Sequence, residues 1–138
     1  MTVLIDSNVI LDVLLKREQF LKKSSHVLLL SEKKIIDGYV TASAITDIFY
    51  ITNITYKDKQ KTMTLIKNLL KTVKIAPVTE AEIYRAIDLD WNDFEDAVQY
   101  TAGEHIQADY LITRDSDGFG NLAIPAVQPA DFLSIIEK

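Results

Sequence analysis

The stretch Thr2-Val3-Leu4-Ile5-Asp6-Ser7-Asn8-Val9-Ile10 decides how this chain is read. Four residues suited to a buried strand end abruptly on an acid, and two helix-capping residue types follow. That is the pattern of a parallel strand delivering a carboxylate to the rim of an open α/β sheet, where such folds bind ligands. A second stretch repeats it: Tyr110-Leu111-Ile112-Thr113 runs into Arg114-Asp115. Asp6 and Asp115 are therefore both expected just beyond the carboxyl ends of strands.

Outward from these two stretches, strand and helix patterns alternate. After the strand Thr2 to Ile5 come a short helix near Val9 to Leu15 and a longer one from about Glu18 to Ser31, with Phe20, Leu21, Val27, Leu28 and Leu30 at the apolar positions. Asp37-Gly38 reads as a turn into the strand Tyr39 to Thr41. Ser43 is expected to cap a helix running through about Ile54, and a second amphipathic helix to span Lys57 to Thr72. Val73 to Ala76 makes a strand stopped by Pro77. Thr79-Glu80-Ala81-Glu82 matches a capping box opening a helix to about Asp88, and a further helix runs from near Asp93 to about Ile106. Beyond Tyr110 to Thr113 and the loop Arg114 to Leu122, a last strand is expected around Ala123 to Val127, then a closing helix from Pro129 to about Ile136. Four or five short strands separated by helices predict a three-layer α/β/α sandwich on a parallel sheet, a single domain over residues 1–138.

Composition narrows the chemistry. A chain of 138 residues, 48% hydrophobic and 25% charged, has enough apolar material for one core. It contains no cysteine, so disulfides, thiolate metal sites and a thiol nucleophile are excluded. The amino terminus meets Asp6 too early for a signal peptide, and no run approaches the roughly 20 apolar residues of a membrane helix, so the cytoplasm is the expected compartment. A net charge of −5 argues against a nucleic-acid partner until the acids are sorted. With Asp6, Asp47, Asp96 and Asp115 set aside as a candidate site, the 20 acidic residues fall to 16 against 15 basic ones.

Hard divalent cations take oxygen ligands, and Mg²⁺ is usually held by a few carboxylates together with water and phosphate oxygens. Four aspartates suffice for one or two ions of Mg²⁺ or Mn²⁺, and such a site suits phosphodiester cleavage. Each acid also has a structural explanation. Asp6-Ser7-Asn8 would serve as a helix cap. Asp47 lies inside a helix beside the apolar stripe of Ala44, Ile48 and Ile51, where aspartate is a poor helix former, which favours a functional role. In Asp93-Phe94-Glu95-Asp96 the helix dipole alone accounts for Asp93 and Glu95. Asp96 does not share the stripe of Phe94, Val98, Thr101 and Ala102. Asp115-Ser116-Asp117-Gly118 fails as a calcium loop, because Phe119 and Ala126 stand where ligands belong. His105 lies nine residues after Asp96, about 180° around a helix, and His26 has no acidic motif nearby, so both read as packing or surface residues.

These motifs together resemble the PIN-domain family, and more particularly the VapC-like ribonuclease toxins, over essentially the whole chain. Leu4-Ile5-Asp6-Ser7-Asn8-Val9-Ile10-Leu11-Asp12 is similar to the first family motif, with Asp6 as an acid of the metal site and Asn8 as its support. Ala42-Ser43-Ala44-Ile45-Thr46-Asp47 resembles the second, with aspartate where the family usually carries glutamate. Asp93-Phe94-Glu95-Asp96-Ala97-Val98-Gln99 resembles the third through Asp96, with Asp93 supporting, and Leu111-Ile112-Thr113-Arg114-Asp115 resembles the fourth, with Thr113 orienting the ligands.

The resemblance implies a metal-dependent endoribonuclease. Asp6, Asp96 and Asp115 would hold Mg²⁺ or Mn²⁺, Asp47 acting directly or through water. RNA would be the substrate, and the implied partners are an antitoxin protein and a second copy of the chain. Two other classes compete with it. One is a catalytically weak or inactive PIN scaffold that binds RNA or protein; the other is a phosphotransfer or receiver-like domain. The second requires a helper lysine after a late strand, which Thr113-Arg114-Asp115 does not supply.

Overall fold

The computed structural model describes residues 1–119 and 122–137. The strands are β1 (Thr2–Ile5), β2 (Asp37–Thr41), β3 (Lys74–Ala76), β4 (Tyr110–Ile112) and β5 (Ala126–Val127). The helices are α1 (Ser7–Leu14), α2 (Glu18–Glu32), α3 (Ala42–Tyr56), α4 (Lys59–Leu69), α5 (Glu80–Leu89), α6 (Phe94–His105) and α7 (Pro129–Ile136), with a 3₁₀ turn at Ser116–Phe119. The strands form one sheet in the order β3-β2-β1-β4-β5, and every pairing is parallel. The chain builds outward from β1 on one side, then crosses to β4 and builds outward on the other. β1 therefore sits at the centre, at the point where the strand order reverses and ligands gather.

The apolar run of β1 is buried on both faces. Val3 and Ile5 join a core with Ile10, Val27, Ile48, Ile66 and Phe132, under α1, α2, α3, α4 and α7. Leu4 points the other way, into a smaller core with Tyr100, Ala102, Leu111 and Phe119. Helices thus cover both sides, as expected for a parallel sheet. Among the described residues no helix is long and apolar enough to cross a membrane.

Several boundaries differ from the sequence expectation. α1 begins at Ser7, not Val9, so the helix starts directly after Asp6. Thr41, not Ser43, caps α3: its Oγ1 accepts the Ala44 N–H at 3.2 Å, because the helix follows β2 with no intervening loop. Lys57 does not open α4. It takes a left-handed φ of 53° that ends α3, and Asp58 caps α4 by accepting the Lys61 N–H at 3.1 Å. β5 starts at Ala126 rather than Ala123. Pro125 has no N–H for the ladder and contributes only its carbonyl, to the Leu111 N–H at 2.9 Å.

Asp37-Gly38 lies within β2 and is not a turn. Glycine is needed there because α2 packs tightly on the strand. A Cβ at Gly38 would stand 2.5 Å from Ser31 Oγ, and that hydroxyl is committed to the Thr72 carbonyl at 2.6 Å. Gly38→Ala is therefore expected to lower stability by about 1–3 kcal/mol through overpacking. Urea unfolding should show the loss as a reduced midpoint with an unchanged slope.

Candidate active site

Asp6 occupies the N-cap position of α1, yet its side chain makes no cap hydrogen bond. Its Oδ2 accepts the Thr113 hydroxyl at 2.7 Å and its Oδ1 the Ser7 hydroxyl at 3.3 Å. Thr113 is fully buried at the end of β4, and its Oγ1 also accepts the Asp115 N–H at 3.1 Å. The adjacent ends of β1 and β4 are thereby joined side chain to side chain. The Asp6 N–H donates to the Ile112 carbonyl at 2.9 Å, fixing the same junction from the backbone.

Two helices complete the rim. α6 is capped by Asp93, whose Oδ1 accepts the Asp96 N–H at 3.0 Å, so the structural explanation of Asp93 holds even though its side chain borders the cleft. α3 brings Asp47 from the opposite side, one residue before the fully buried Ile48. The result is a cleft of about 460 Å³ whose lining includes Asp6, Asp47, Asp96 and Asp115, with Asn8 at its edge. Thr113 lies beneath the rim and acts on it through Asp6 and Asp115.

Sequence reasoning missed Glu95, which the helix dipole had seemed to explain. It lines the cleft opposite Asp47. Nothing local signals this, because the partner belongs to another helix. Phe94 is 48% exposed and drops out of the apolar stripe in which it was placed. Neither histidine borders the cleft: His26 faces Glu137 at 3.6 Å and His105 approaches Glu82 at 3.9 Å.

Among its described residues the lining carries no lysine, arginine or histidine, so its acids face one another uncompensated. Burial raises the Asp96 carboxyl to about 6, helped by repulsion from Asp93, Asp6 and Asp115. Glu95 is pushed up to about 7, first by a hydrogen bond shared with Asp47, then by burial and by repulsion from Asp47, Asp93 and Asp96.

Among the described residues no three His, Asp or Glu side chains stand ready-made at ligand spacing. The donor set nonetheless fits a hard divalent cation. It is all oxygen, it repels itself without a counter-charge, and it leaves room for the water and phosphate oxygens that Mg²⁺ retains.

A family model described as a PIN domain matches residues 2–117. The chain is 26% identical over 118 residues to "Ribonuclease VapC1" of Aquifex aeolicus (strain VF5), covering 82% of this chain and 81% of that protein. Among solved structures, VapBC2 from Rickettsia felis bound to a promoter DNA fragment superposes with a TM-score of 0.72 at 12% identity, covering 93% of this chain and 98% of that one. Mycobacterium tuberculosis VapC20, described as a sarcin-ricin loop cleaving toxin, gives 0.67 at 11% identity, covering 89% and 98%.

Raised carboxyl values in the folded state imply a pH dependence of known sign. The folded protein holds protons that the unfolded chain has released, so the stability they contribute is complete below the ordinary carboxyl range and is lost as pH climbs through about 6 and 7. The thermal midpoint of the metal-free protein should fall from about pH 5 to about pH 8, and Glu95→Gln should flatten that fall. A midpoint independent of pH across this window would contradict the assigned repulsion.

Proposed function

The chain belongs to the PIN-domain family, and we propose that it is a metal-dependent endoribonuclease, the toxin of a toxin–antitoxin pair. One observation carries this reading: carboxylates from the ends of β1 and β4 and the start of α6 line one cleft. The chain's likeness to a ribonuclease and to a sarcin-ricin loop cleaving toxin supports RNA as the substrate.

In this reading Asp6, Asp96 and Asp115 hold Mg²⁺ or Mn²⁺, with Asp47 contributing directly or through water. When bound, the ion would supply Lewis-acid charge that acidifies water and offsets the charge developing on the scissile phosphate. The protein's own groups do the rest. Thr113 fixes the rotamer of Asp6 and the backbone of Asp115 through one hydroxyl. Asp93 fixes the start of α6, hence the direction of Asp96. Asn8 offers a neutral amide at the edge, able to position a substrate oxygen without adding charge. Glu95, pushed up to about 7 by a hydrogen bond to Asp47, by burial and by the neighbouring acids, can hold a proton and release it when a cation enters. No protein nucleophile is needed, in keeping with the absence of cysteine and with histidines remote from the cleft.

The partners follow in the same terms. A toxin-antitoxin complex from Klebsiella pneumoniae, which superposes with a TM-score of 0.68 at 16% identity over 92% of this chain and 97% of that one, supports an antitoxin as a protein partner. Exposed Tyr50, Ile51 and Ile54 on α3 support a second copy of this chain as the other. The cytoplasm is the compartment proposed. A weak or inactive scaffold that only binds RNA draws support from the shorter Asp47 and from carboxylates not preassembled at ligand spacing.

Cleavage of fluorescent single-stranded RNA in Mn²⁺ separates the two. The nuclease requires cleavage abolished by chelator and lowered at least about 100-fold by Asp6→Asn or Asp96→Asn, with far-ultraviolet circular dichroism unchanged. Tight RNA binding with no cleavage selects the scaffold, and full activity in either variant overturns the assignment. Asp96→Asn should also raise the thermal midpoint of the metal-free protein, since it removes one of the repelling charges.

A further inference from the structure

Asp12 is fully buried, six residues beyond Asp6, and does not border the cleft. An interior carboxylate survives only if its oxygens are satisfied, and these are. Oδ2 accepts Arg114 Nε at 2.9 Å and the Ser24 hydroxyl at 3.1 Å, while Oδ1 accepts Arg17 Nη1 at 3.4 Å. The Arg114 guanidinium also lies 4.0 Å over the centre of the Phe20 ring. α1, α2 and the segment after β4 thus meet at one charged knot behind the rim.

A buried ion pair adds little net stability over an apolar pair of the same shape. What it does supply is direction, since a planar guanidinium held by hydrogen bonds and stacked on a ring has few alternatives. Arg114 stands between Thr113, which bonds Asp6, and Asp115, which lines the cleft. Past this point no ladder holds the next residues: the Asp115 N–H goes to Thr113 Oγ1 at 3.1 Å, the Gly118 N–H to the Asp115 carbonyl at 3.2 Å, and the 3₁₀ turn Ser116–Phe119 follows.

We propose that the Asp12–Arg114 ion pair is a second positioning device for Asp115, beside the Thr113 hydroxyl: it anchors the neighbouring backbone from behind, so that the Asp115 carboxylate is presented to the cleft. The proposal rests on the reading of Asp115 as a metal-holding residue, but its geometric half stands apart from it. Arg17 is the internal control. It bonds the same carboxylate from the N-cap position of α2 and makes no hydrogen bond to Asp115.

The test follows two quantities in the full-length protein: hydrogen exchange of the Asp115 amide by NMR, and Mn²⁺ affinity by calorimetry. Arg114→Gln should speed Asp115 exchange by about tenfold or more and weaken Mn²⁺ binding by roughly 10- to 100-fold, the range for groups that orient metal ligands. Arg17→Gln should move neither. Arg114→Lys keeps the charge but not the planar fork or the stacking, and is expected to give the same changes in smaller measure, which keeps the proposal testable should the glutamine variant not fold. An unchanged Asp115 amide in whichever Arg114 variant folds, or an equal effect from Arg17→Gln, overturns the proposal. A wild-type protein that binds no Mn²⁺, with Asp115 still released by Arg114→Gln, sinks the metallonuclease reading and leaves the positioning role standing.

Discussion

Repulsion among carboxylates at one rim is the constraint around which this molecule is organised. Asp6, Asp47, Glu95, Asp96 and Asp115 face a common cleft whose described lining contains no basic side chain. The free energy to hold them there comes from elsewhere. β1 is buried on both faces, its apolar side chains feeding two cores at once. The acids themselves are restrained by hydrogen bonds: a hydroxyl donates to Asp6, and the capping Asp93 carboxylate accepts the Asp96 N–H and so fixes its backbone. Such restraint costs stability in the absence of a cation, the usual trade between a poised site and a relaxed fold.

The fold was largely legible because its strands leave an unambiguous trace. Val3, Leu4 and Ile5 are all apolar in succession, which only a strand covered on both faces requires, and Asp6 marks where cover ends. What was not legible was set by contacts between distant segments. Gly38 reads as a turn residue by composition, yet it is small because Ser31 of α2 comes against it. Ser43 is as good a capping residue as Thr41, and local sequence has no means of ranking them. The choice falls to Thr41 because β2 runs straight into α3. Pro125 did carry a readable signal, a missing N–H, and it shortens β5 as that signal implies.

The cleft divides in the same way. Asp6 and Asp115 follow from strand ends, and Asp47 from its place beside a buried face. Asp96 was recovered only through its surrounding motif, since periodicity leaves its direction open. Glu95 was dismissed because a local explanation sufficed, and its relation to Asp47 exists only once α3 and α6 border the same cleft. Asp12 and Arg114 are harder still. Each is unremarkable in its own helix or loop, and their pairing across 102 residues emerges from packing alone.

That separation bears on when the cleft exists at all. β1 is made first, but one of its edges stays bare until β4 arrives, and the Thr113 hydroxyl that orients Asp6 lies 107 residues downstream. A nascent chain extruded only as far as α5 has Asp6 and Asp47 but neither the α6 cap nor the strand that closes the junction. Long-range parallel pairing of this kind forms late and slowly. The ribosome making the protein therefore carries an unfinished rim until β4 has emerged, and whatever chemistry the cleft performs waits for that pairing.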